Sequence, residues 1–395
     1  MSSPQNLAMV ASLQATFRQK FGDSEGLHFA MAPGRVNLLG EYTDINDGFV
    51  LPTTVDKGVY VALRERHDFT VCLYSARYDY SVNYQLNDCP TCEAGSWSSY
   101  VVGVIEELRA RGLIEHGFEC VIDGDLLLGA GLSSSAALEV ATATALQHLT
   151  GFVMNPVEMV KLCQYVEHTY ARVFCGIMDQ FASRICKVDH ALLLDCRTLD
   201  YKATPMALGE NRIVIVNSGV KRSLAASTYN TRRAECQEGL EYFKGIDADV
   251  VALRDVSVDM FDAQGDELAD NVRRRCRHVI TENIRVLEAF THLAAGQVAE
   301  FGTLMDESHR SLRDDFEVSC AELDVLTSVA GRIDGVFGAR MTGAGFGGCT
   351  VNLVHADAIP ELVTTLETEY MAQFKQTPDI FVLSGNLEAG PLSPI

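Results

Sequence analysis

A short loop near the middle of the chain, residues 129–138, constrains the fold most, because it reads GAGLSSSAAL. Gly129 and Gly131 let the backbone turn its N–H groups toward a bound anion. The helix formers that follow would present the positive end of a helix. The hydroxyl groups come from three consecutive serines, Ser133, Ser134 and Ser135. The pattern predicts a loop, a phosphate cradle and a helix, with a nucleoside triphosphate as the ligand. A glycine-rich turn before a serine-capped helix is the alternative interpretation.

Two further segments combine charge and glycine. Residues 33–52 read PGRVNLLGEYTDINDGFVLP and place one arginine and three carboxylates in a glycine-punctuated loop. Residues 340–354 read RMTGAGFGGCTVNLV, with four glycines within six residues before an apolar run. Gly343, Gly345 and Gly348 fit the dinucleotide pattern G-x-G-x-x-G, but that pattern follows a strand and opens a helix. Here a strand-like run follows, so the dinucleotide interpretation fails on context.

In order and spacing, the three segments resemble the three motifs of the GHMP small-molecule kinases. In chain order, the first motif is 33–52, the second is 129–138 and the third is 340–354. The first motif is similar to the galactokinase branch of that family in particular. Three more stretches agree with the resemblance, which runs from Phe29 to Val354. They are 97–105 (WSSYVVGVI), 175–181 (CGIMDQF) and 217–233 (NSGVKRSLAASTYNTRR).

The resemblance implies a two-domain α+β fold. Its N-terminal part would be a ribosomal-S5-like α/β domain and its C-terminal part a ferredoxin-like α+β domain, with the active site between them. A length of 395 residues also favours two domains over one, and the pattern changes near residue 205. We therefore predict an ATP- and sugar-binding domain over 1–205 and a C-terminal domain over 206–395, whose 340–350 segment returns to the active site.

Composition limits the partners and the compartment. No apolar run approaches the roughly 18 residues that a membrane helix requires. With 53 acidic and 32 basic residues, the net charge of −21 repels polyanions. Twelve cysteines among mostly apolar neighbours favour reduced thiols, and the N-terminus lacks the features of a signal peptide. We expect a cytoplasmic monomer or weak homodimer with no nucleic-acid or membrane partner.

Hydrophobic periodicity predicts the elements that carry these motifs. Strands are predicted over 28–39, 58–65, 118–128, 191–195, 212–217 and 348–354, with an extended segment over 69–84. Helices are predicted over 98–111, 134–149, 156–171, 226–244 and 270–296. The spacing of Val10, Leu13, Phe17 and Phe21 predicts a further amphipathic helix at the start.

Phosphoryl transfer requires a group that takes the acceptor's proton and a cation that offsets developing charge. Asp179 follows Gly176-Ile177-Met178, an apolar setting that would raise the pKa of its carboxyl and make it a better proton acceptor. Arg35 is always charged, so it could lower that pKa again and stabilise the phosphoryl group. We predict Asp179 as base and Arg35 as charge stabiliser; the sequence leaves open whether Asp179 removes the proton or only stabilises the hydroxyl. For Asp179, the alternative is a helix cap or a buried ion pair, and for Arg35 it is a surface salt bridge.

Carboxylates in the first motif are candidates for binding a sugar. A site that pairs carboxylates with sugar hydroxyls rejects an epimer, because the epimer leaves a buried acceptor unpaired. Glu41 and Asp44 fit this role. The resemblance assigns both to sugar hydroxyls, adds the backbone of Gly176 and places the phenol of Tyr229 beside the ring. For Tyr229, ordinary core packing is the alternative.

The metal ion of a kinase needs hard oxygen ligands. We predict that Ser135 and Glu167 bind Mg²⁺, with Ser134 as the second choice for the serine ligand. Glu167 lies twelve residues before Asp179, where the resemblance places the family's metal carboxylate. A solvated helix face is the alternative for Glu167.

The nucleotide needs an aromatic surface and backbone amides as well as residues 129–135, which we call the serine loop. Trp97, the only tryptophan of the chain, could stack on adenine, as the resemblance implies, or could simply pack in the core. Gly343 and Gly345 of the third motif are also predicted to contact the nucleotide.

The chain departs from the family's usual wording near the sugar. The family has histidine, tyrosine and glycine where this chain has Tyr42, Ile45 and Asp47. Tyr42 is a predicted substrate contact that keeps a hydroxyl near the sugar's exocyclic group but changes size and reach, so specificity at C6 is open. Asp47 adds negative charge, which argues against a uronic acid. Arg172 and Phe174 replace a small residue and a proline.

The resemblance, together with these residues, implies a kinase that uses ATP and Mg²⁺ to phosphorylate the anomeric hydroxyl of galactose. A second hypothesis keeps the machinery and changes the acceptor to a relative such as N-acetylgalactosamine or L-arabinose, because of Tyr42 and Ile45. A third hypothesis is a sensor that binds sugar and ATP without turnover. A sensor would show a damaged serine loop or a lost aspartate, and this sequence keeps both.

Overall fold

The chain folds around two β-sheets with helices on their faces. The computed structural model describes residues 4–126, 131–220 and 225–394, without the side chains of 225–227. Its helices are α1 (Pro4–Phe21), α2 (Trp97–Ala110), α3 (Ser134–Thr150), α4 (Pro156–Thr169), α5 (Met178–Ile185), α6 (Ala225–Ile246), α7 (Val258–Gln264), α8 (Asp270–Ala294), α9 (Val298–Asp314), α10 (Ala321–Ala330) and α11 (Ile359–Phe374). Its strands are β1 (His28–Leu39), β2 (Phe49–Glu65), β3 (Thr70–Ser75), β4 (Tyr80–Gln85), β5 (Phe118–Gly124), β6 (His190–Asp195), β7 (Tyr201–Pro205), β8 (Asn211–Asn217), β9 (Val336–Thr342), β10 (Cys349–His355), β11 (Asp379–Val382) and β12 (Gly390–Leu392).

The first sheet has eight strands in the order β12-β1-β2-β5-β3-β4, with β6 paired to β2 and β7 paired to β6. Its pairs are antiparallel except β3 with β5. The pair of β1 and β2 shifts register between Pro33 and Arg35 and again between Asn37 and Leu39. Such irregularities bend a strand and redirect its side chains, so the first motif leaves the regular ladder where its functional residues begin.

The second sheet has four antiparallel strands in the order β11-β8-β10-β9. The glycine loop, residues 343–348, joins β9 to β10 as a hairpin connection. Gly345 has a φ of +75°, and a Cβ there would lie 2.1 Å from the carbonyl oxygen of Val318, so only glycine fits. A strand, not a helix, follows this loop. The structure therefore excludes the interpretation of these glycines as a dinucleotide-binding motif.

The two sheets are joined by packing helices. Helix α3 covers β1 and β2, whereas α8 packs against β1, β2, β6 and β7 as well as against α6 and α9. The sheet changes between β7 and β8, next to the predicted boundary at residue 205. However, β12 returns from the end of the chain to pair with β1. The division into two domains at that residue therefore stays a prediction. Strand β12 crosses this boundary, because it comes from the C-terminal half and belongs to the first sheet.

Most elements predicted from periodicity are confirmed within a few residues: α1, α2, α3, α4, α6 and α8, and strands β1, β6, β8 and β10. The extended segment 69–84 is instead the hairpin of β3 and β4, since Asp79 turns the chain with a φ of 45°. The strand predicted over 118–128 ends at Gly124, and residues 127–128 lie outside the described part. No helix in the described part is long and apolar enough to cross a membrane.

Asn386 fastens the C-terminal segment to the first sheet. Its buried side chain accepts a hydrogen bond from the N–H of Asp189 (2.5 Å) and donates one to the carbonyl of Lys187 (3.0 Å). We expect Asn386→Ala to lower the free energy of unfolding by about 1–3 kcal/mol, because it leaves buried backbone groups unpaired. Chemical denaturation measures this, with exposed Asn87→Ala as the control. Equal stability of the two variants would show that Asn386 holds nothing.

Candidate active site

A cavity of about 400 Å³ collects most of the residues predicted to bind sugar or to act in catalysis. We call it the acceptor cavity. The predicted site residues that line it are Arg35, Glu41, Tyr42, Asp44, Glu167, Gly176, Asp179, Tyr229 and Gly343. These come from β1, the loop after it, α4, the start of α5, α6 and the glycine loop. The fold therefore brings together residues that lie more than 300 positions apart.

Arg35 and Asp179 form a two-pronged ion pair on the wall of the acceptor cavity. The Nε and Nη2 atoms of Arg35 donate to the two carboxylate oxygens of Asp179 at 2.7 and 2.8 Å. The Nη1 atom donates to the carbonyl of Gly131 at 2.7 Å, which ties the arginine to the serine loop. The ion pair named as an alternative for Asp179 is thus present, and both partners still line the cavity.

Ser133 completes the surroundings of Asp179. Its hydroxyl donates to Oδ2 of Asp179, and its backbone is left-handed, with φ 57° and ψ 51°. Non-glycine residues rarely adopt this conformation. The turn aims the serine away from the following helix and toward the aspartate. Gly129 of the same loop lies outside the described residues.

Glu41 is oriented entirely by protein donors. One carboxylate oxygen accepts from the hydroxyl of Thr342 (3.0 Å) and the N–H of Gly343 (2.9 Å). The other accepts from Asn37 Nδ2 (3.0 Å) and from the guanidinium of Arg340. Burial raises the pKa of Glu41, and the charge of Arg340 opposes that rise. The carboxylate faces the cavity but already has four partners.

Asp44 lies against the backbone of Gly176. A Cβ at Gly176 would be 1.8 Å from Oδ2 of Asp44, so the close approach requires glycine. Burial, together with the negative charge of Asp179, raises the pKa of Asp44 to about 7. Its Oδ1 accepts from the N–H of Ile45 at 3.0 Å. Among the described residues, no hydrogen bond from a protein donor to Oδ2 is present, and this oxygen lies on the side of Gly176.

Tyr42 and Tyr229 give the acceptor cavity an aromatic surface. The ring of Tyr42 lies 5.3 Å from that of Tyr229 and 4.5 Å from that of Phe316, measured between centroids. The hydroxyl of Tyr42 donates to the carbonyl of Ala344 at 2.6 Å. Tyr42 also has a φ of 65°. Its phenol therefore points to the glycine loop, and the ring contributes the cavity surface.

A second cavity, of about 340 Å³, lies at the start of α3, and we call it the nucleotide cavity. Trp97, Tyr100, Ser134 and Ser135 line it. The predictions for Trp97 and the two serines therefore fall on one surface. Gly343 lines the acceptor cavity instead, and Gly345 lines neither, so contact of these two glycines with a nucleotide stays an untested prediction.

A hydrogen bond between Ser135 and Glu167 connects the linings of the two cavities. Ser135 lines the nucleotide cavity and Glu167 the acceptor cavity, and the serine hydroxyl donates to Oε1 of Glu167 at 3.2 Å. Gln180 Nε2 donates to the other oxygen at 2.6 Å. Burial, with the charge of Asp179, raises the pKa of Glu167 to about 7. No cluster of three or more His, Cys, Asp and Glu suited to a metal occurs in the described residues.

Known proteins share both the sequence and this architecture. Residues 15–65 match the galactokinase galactose-binding signature, 99–185 the GHMP kinases N terminal domain and 286–372 the GHMP kinases C terminal domain. The galactokinase of Bacillus subtilis is 40% identical over 379 residues, which cover 95% of this chain and 97% of that protein. The galactokinase of Chloroflexus aurantiacus is 43% identical over 361 residues, covering 91% and 92%. The chain belongs to the galactokinase family.

Solved structures agree with this assignment. The galactokinase of Lactococcus lactis, whose crystal structure is a complex with galactose, superposes with a TM-score of 0.92. It is 36% identical, and the match covers 98% of this chain and all of that one. A mevalonate kinase matches with a TM-score of 0.65 at 19% identity, covering 90% of this chain and 98% of the other, which shows the shared fold alone. This chain therefore has the two-domain GHMP kinase fold.

Two departures from the usual galactokinase pattern have structural explanations. Asp47 is exposed and lies 3.5 Å from Arg197 Nε, so its added negative charge has a cation beside it. Its carbonyl accepts from Arg254 Nη1 at 2.6 Å. Arg172 and Phe174 both line the acceptor cavity and are exposed, so they form part of its mouth.

Sequence reasoning missed three residues that shape the site. Arg340 holds Glu41, Gln180 holds Glu167 and Tyr100 lines the nucleotide cavity. All three lie inside segments that carry the galactokinase resemblance, close to residues that the sequence predicted for the site. Their chemistry alone gave no signal, because a buried arginine or glutamine and a core tyrosine have no distinctive spacing.

Gly176 gives a direct test of the geometry around Asp44. We expect Gly176→Ala to raise the sugar KM about tenfold or more, since displacement of one buried acceptor costs about 1.4 kcal/mol or more. The ATP KM should change little, because the new methyl group faces Asp44. Steady-state kinetics with both substrates measure this, with Gly245→Ala as the control, where a Cβ has open space. Unchanged sugar kinetics would contradict the contact.

Proposed function

We propose that this protein transfers the γ-phosphoryl group of ATP to the anomeric hydroxyl of galactose, which yields galactose 1-phosphate and ADP. One observation carries the proposal. Ser135, which lines the cavity with Trp97, is hydrogen-bonded to Glu167, which lines the cavity with the Arg35–Asp179 ion pair. A sugar and a nucleotide in these two cavities would meet at an aspartate, an arginine and a serine loop. The galactose bound to the Lactococcus relative supports this choice of acceptor.

For the acceptor, we propose that Asp44 receives hydrogen bonds from sugar hydroxyls through Oδ2. Gly176 allows that carboxylate to lie flat against its backbone. Glu41, whose two oxygens already accept from four protein donors, would contribute negative charge to the cavity wall rather than an unpaired acceptor. Tyr42 and Tyr229 would cover the less polar face of the sugar. A site with acceptors fixed in this way discriminates between epimers, because the wrong epimer leaves an acceptor unpaired.

For the chemistry, we propose that Asp179 receives the proton of the anomeric hydroxyl as its oxygen attacks the γ-phosphorus. The new O–P bond forms while the bond from the γ-phosphorus to the β–γ bridging oxygen breaks, and ADP leaves. Arg35 holds both oxygens of Asp179 and, through Gly131, reaches the serine loop. Its charge would therefore act on the aspartate and on the transferring phosphoryl group together.

For the nucleotide, we propose that adenine stacks beside Trp97 and that the phosphates lie at the start of α3. Backbone N–H groups and the helix dipole favour negative charge there. Ser135 and Glu167 fit Mg²⁺, because they offer two hard oxygens 3.2 Å apart, one from the lining of each cavity. Magnesium commonly takes one or two carboxylates and completes its shell with phosphate and water. When bound, it would neutralise charge on the phosphate oxygens.

A galactose relative is the second candidate acceptor, and Tyr42 is the observation that favours it. Its phenol is bonded to the glycine loop and its ring forms part of the wall. The site therefore differs in shape from one with histidine at that position. The loop, serines and aspartate of a working kinase are retained, which argues against a sensor without turnover.

A coupled ADP-release assay tests the function. We expect galactose to be phosphorylated far faster than glucose, N-acetylgalactosamine, L-arabinose and galacturonate. Asp179→Asn should lower turnover at least about a hundredfold, the scale of general-base catalysis, while calorimetry shows ATP binding retained. Exposed Asp88→Asn is the matched control. Another sugar in the lead would assign the specificity to Tyr42 and Ile45, and no turnover of any sugar would reopen the sensor hypothesis.

A metal titration tests the role of Glu167. We expect Glu167→Gln to raise the Mg²⁺ concentration for half-maximal activity about tenfold or more, because a neutral amide binds a hard cation more weakly. Manganese binding in the presence of ADP, followed by electron paramagnetic resonance, should weaken in parallel. Glu158→Gln on the exposed face of α4 is the control. An identical metal dependence in both variants would exclude Glu167 as a ligand.

A further inference from the structure

The loop between β1 and β2, residues 40–48, carries the two carboxylates that we propose to face the sugar. We call it the sugar loop. Its partner is α8, which belongs to the second half of the chain yet packs against β1 and β2. We propose that His278, Glu282 and Asn283 of α8 are positioning residues that hold the sugar loop in its binding conformation. This proposal rests on the proposed function for the identity of the ligand, but not for the contacts.

Glu282 holds the start of the loop. Its side chain has no exposed surface, and Oε1 accepts from the N–H of Gly40 at 3.0 Å and from the hydroxyl of Ser308 at 2.6 Å. Oε2 accepts from Arg285 Nε at 2.7 Å. Burial alone would raise the pKa of Glu282, but positive charge, chiefly that of Arg285, leaves it at about 2. Gly40 therefore donates to an ionised acceptor, which makes the bond stronger than a neutral one.

Asn283 holds the end of the loop. Its Oδ1 accepts from the N–H of Phe49 at 2.8 Å, and its Nδ2 donates to the carbonyl of Val279 at 2.8 Å. The second bond fixes the orientation of the amide. A Cβ at Gly48 would lie 2.4 Å from Oδ1, so the asparagine also fills the space beside the loop.

His278 holds the residue that carries the first carboxylate. Its Nε2 lies 3.1 Å from the carbonyl oxygen of Glu41 and donates to it, and its Nδ1 lies 2.9 Å from the hydroxyl of Ser311. His278 has no exposed surface. Together the three side chains contact the loop at Gly40, at Glu41 and at Phe49, which follows it.

The loop needs such support because of its backbone. Tyr42 and Asp47 have φ values of 65° and 56°, in the region that non-glycine residues rarely occupy. Such conformations persist only where surrounding contacts over-determine them. Asp44 lies between these two residues, so release of either end of the loop would move its carboxylate relative to Gly176. The nucleotide cavity has no lining residue from the sugar loop or α8.

The experiment compares Asn283→Ala with Asn271→Ala, an exposed position on the same helix. We expect Asn283→Ala to raise the galactose KM about five- to tenfold, the scale of one lost buried hydrogen bond, with the ATP KM within about twofold. Hydrogen exchange followed by mass spectrometry should speed up in peptides that cover 40–49 and stay unchanged in α3. Asn271→Ala removes only a hydrogen bond to Glu235 on α6 and should leave both KM values and the exchange of 40–49 unchanged.

Glu282 supplies the conservative series. Glu282→Gln keeps an oxygen for the N–H of Gly40 and should retain most of the galactose affinity, whereas Glu282→Ala should lose it, with Glu288→Gln as the exposed control on α8. If Asn283→Ala leaves both galactose KM and loop exchange unchanged, the proposal is overturned. A uniform loss of exchange protection and of both affinities would also overturn it, because that indicates core packing alone. Failure of galactose turnover in the unaltered protein would remove the proposed function, and loop exchange would still decide this proposal.

Discussion

The buried ion pair between Glu41 and Arg340 joins the two halves of the molecule, and the site depends on it. Arg340 has no exposed surface and Glu41 only 2%. From β9 of the second sheet, Arg340 also donates to the carbonyls of Asn37 and Leu38 at the irregular end of β1. Removal of one partner from such a pair costs about 3–5 kcal/mol, because it strands a buried charge. The pair therefore attaches the third motif to the first. Both motifs contribute lining residues to the acceptor cavity, among them Glu41 and Gly343.

Local charge explains how a strongly acidic chain can hold an anionic nucleotide. The net charge of −21 acts over the whole surface, whereas the two cavities present the positive start of α3 and the charge of Arg35. Asp44 and Glu167 have raised pKa values because they are buried near Asp179. A bound cation would favour the ionised form of such a carboxylate. The carboxylate of the proposed sugar site and that of the proposed metal site thus both feel the charge of Asp179.

The departures from the family pattern are accommodated by contacts outside the motif. Tyr42 has its phenol on the glycine loop and its ring against Phe316. Asp47 lies beside Arg197, and Arg254 contacts its carbonyl. The loop has positive φ values at Tyr42 and Asp47, and α8 contacts both of its ends. This arrangement separates the shape of the loop from the identity of the side chains that it presents.

The sequence by itself determined the family and most helices, and it supplied the predictions for the site residues, because these features are encoded in short segments with fixed spacing. The serine loop before α3, Asp179 at the start of α5 and the glycine hairpin could all be predicted in this way. Only the tertiary structure decided that Glu41 has four protein partners, that Gly345 packs beneath Val318 and that β12 pairs with β1. It also decided the contacts of His278 and Glu282. These residues lie four positions apart on α8, a spacing that is equally common on the solvent-exposed face of a helix. Local pattern records which side chains a segment offers, whereas hydrogen-bond partners some 240–300 residues away along the chain are chosen only when the two sheets and α8 pack together.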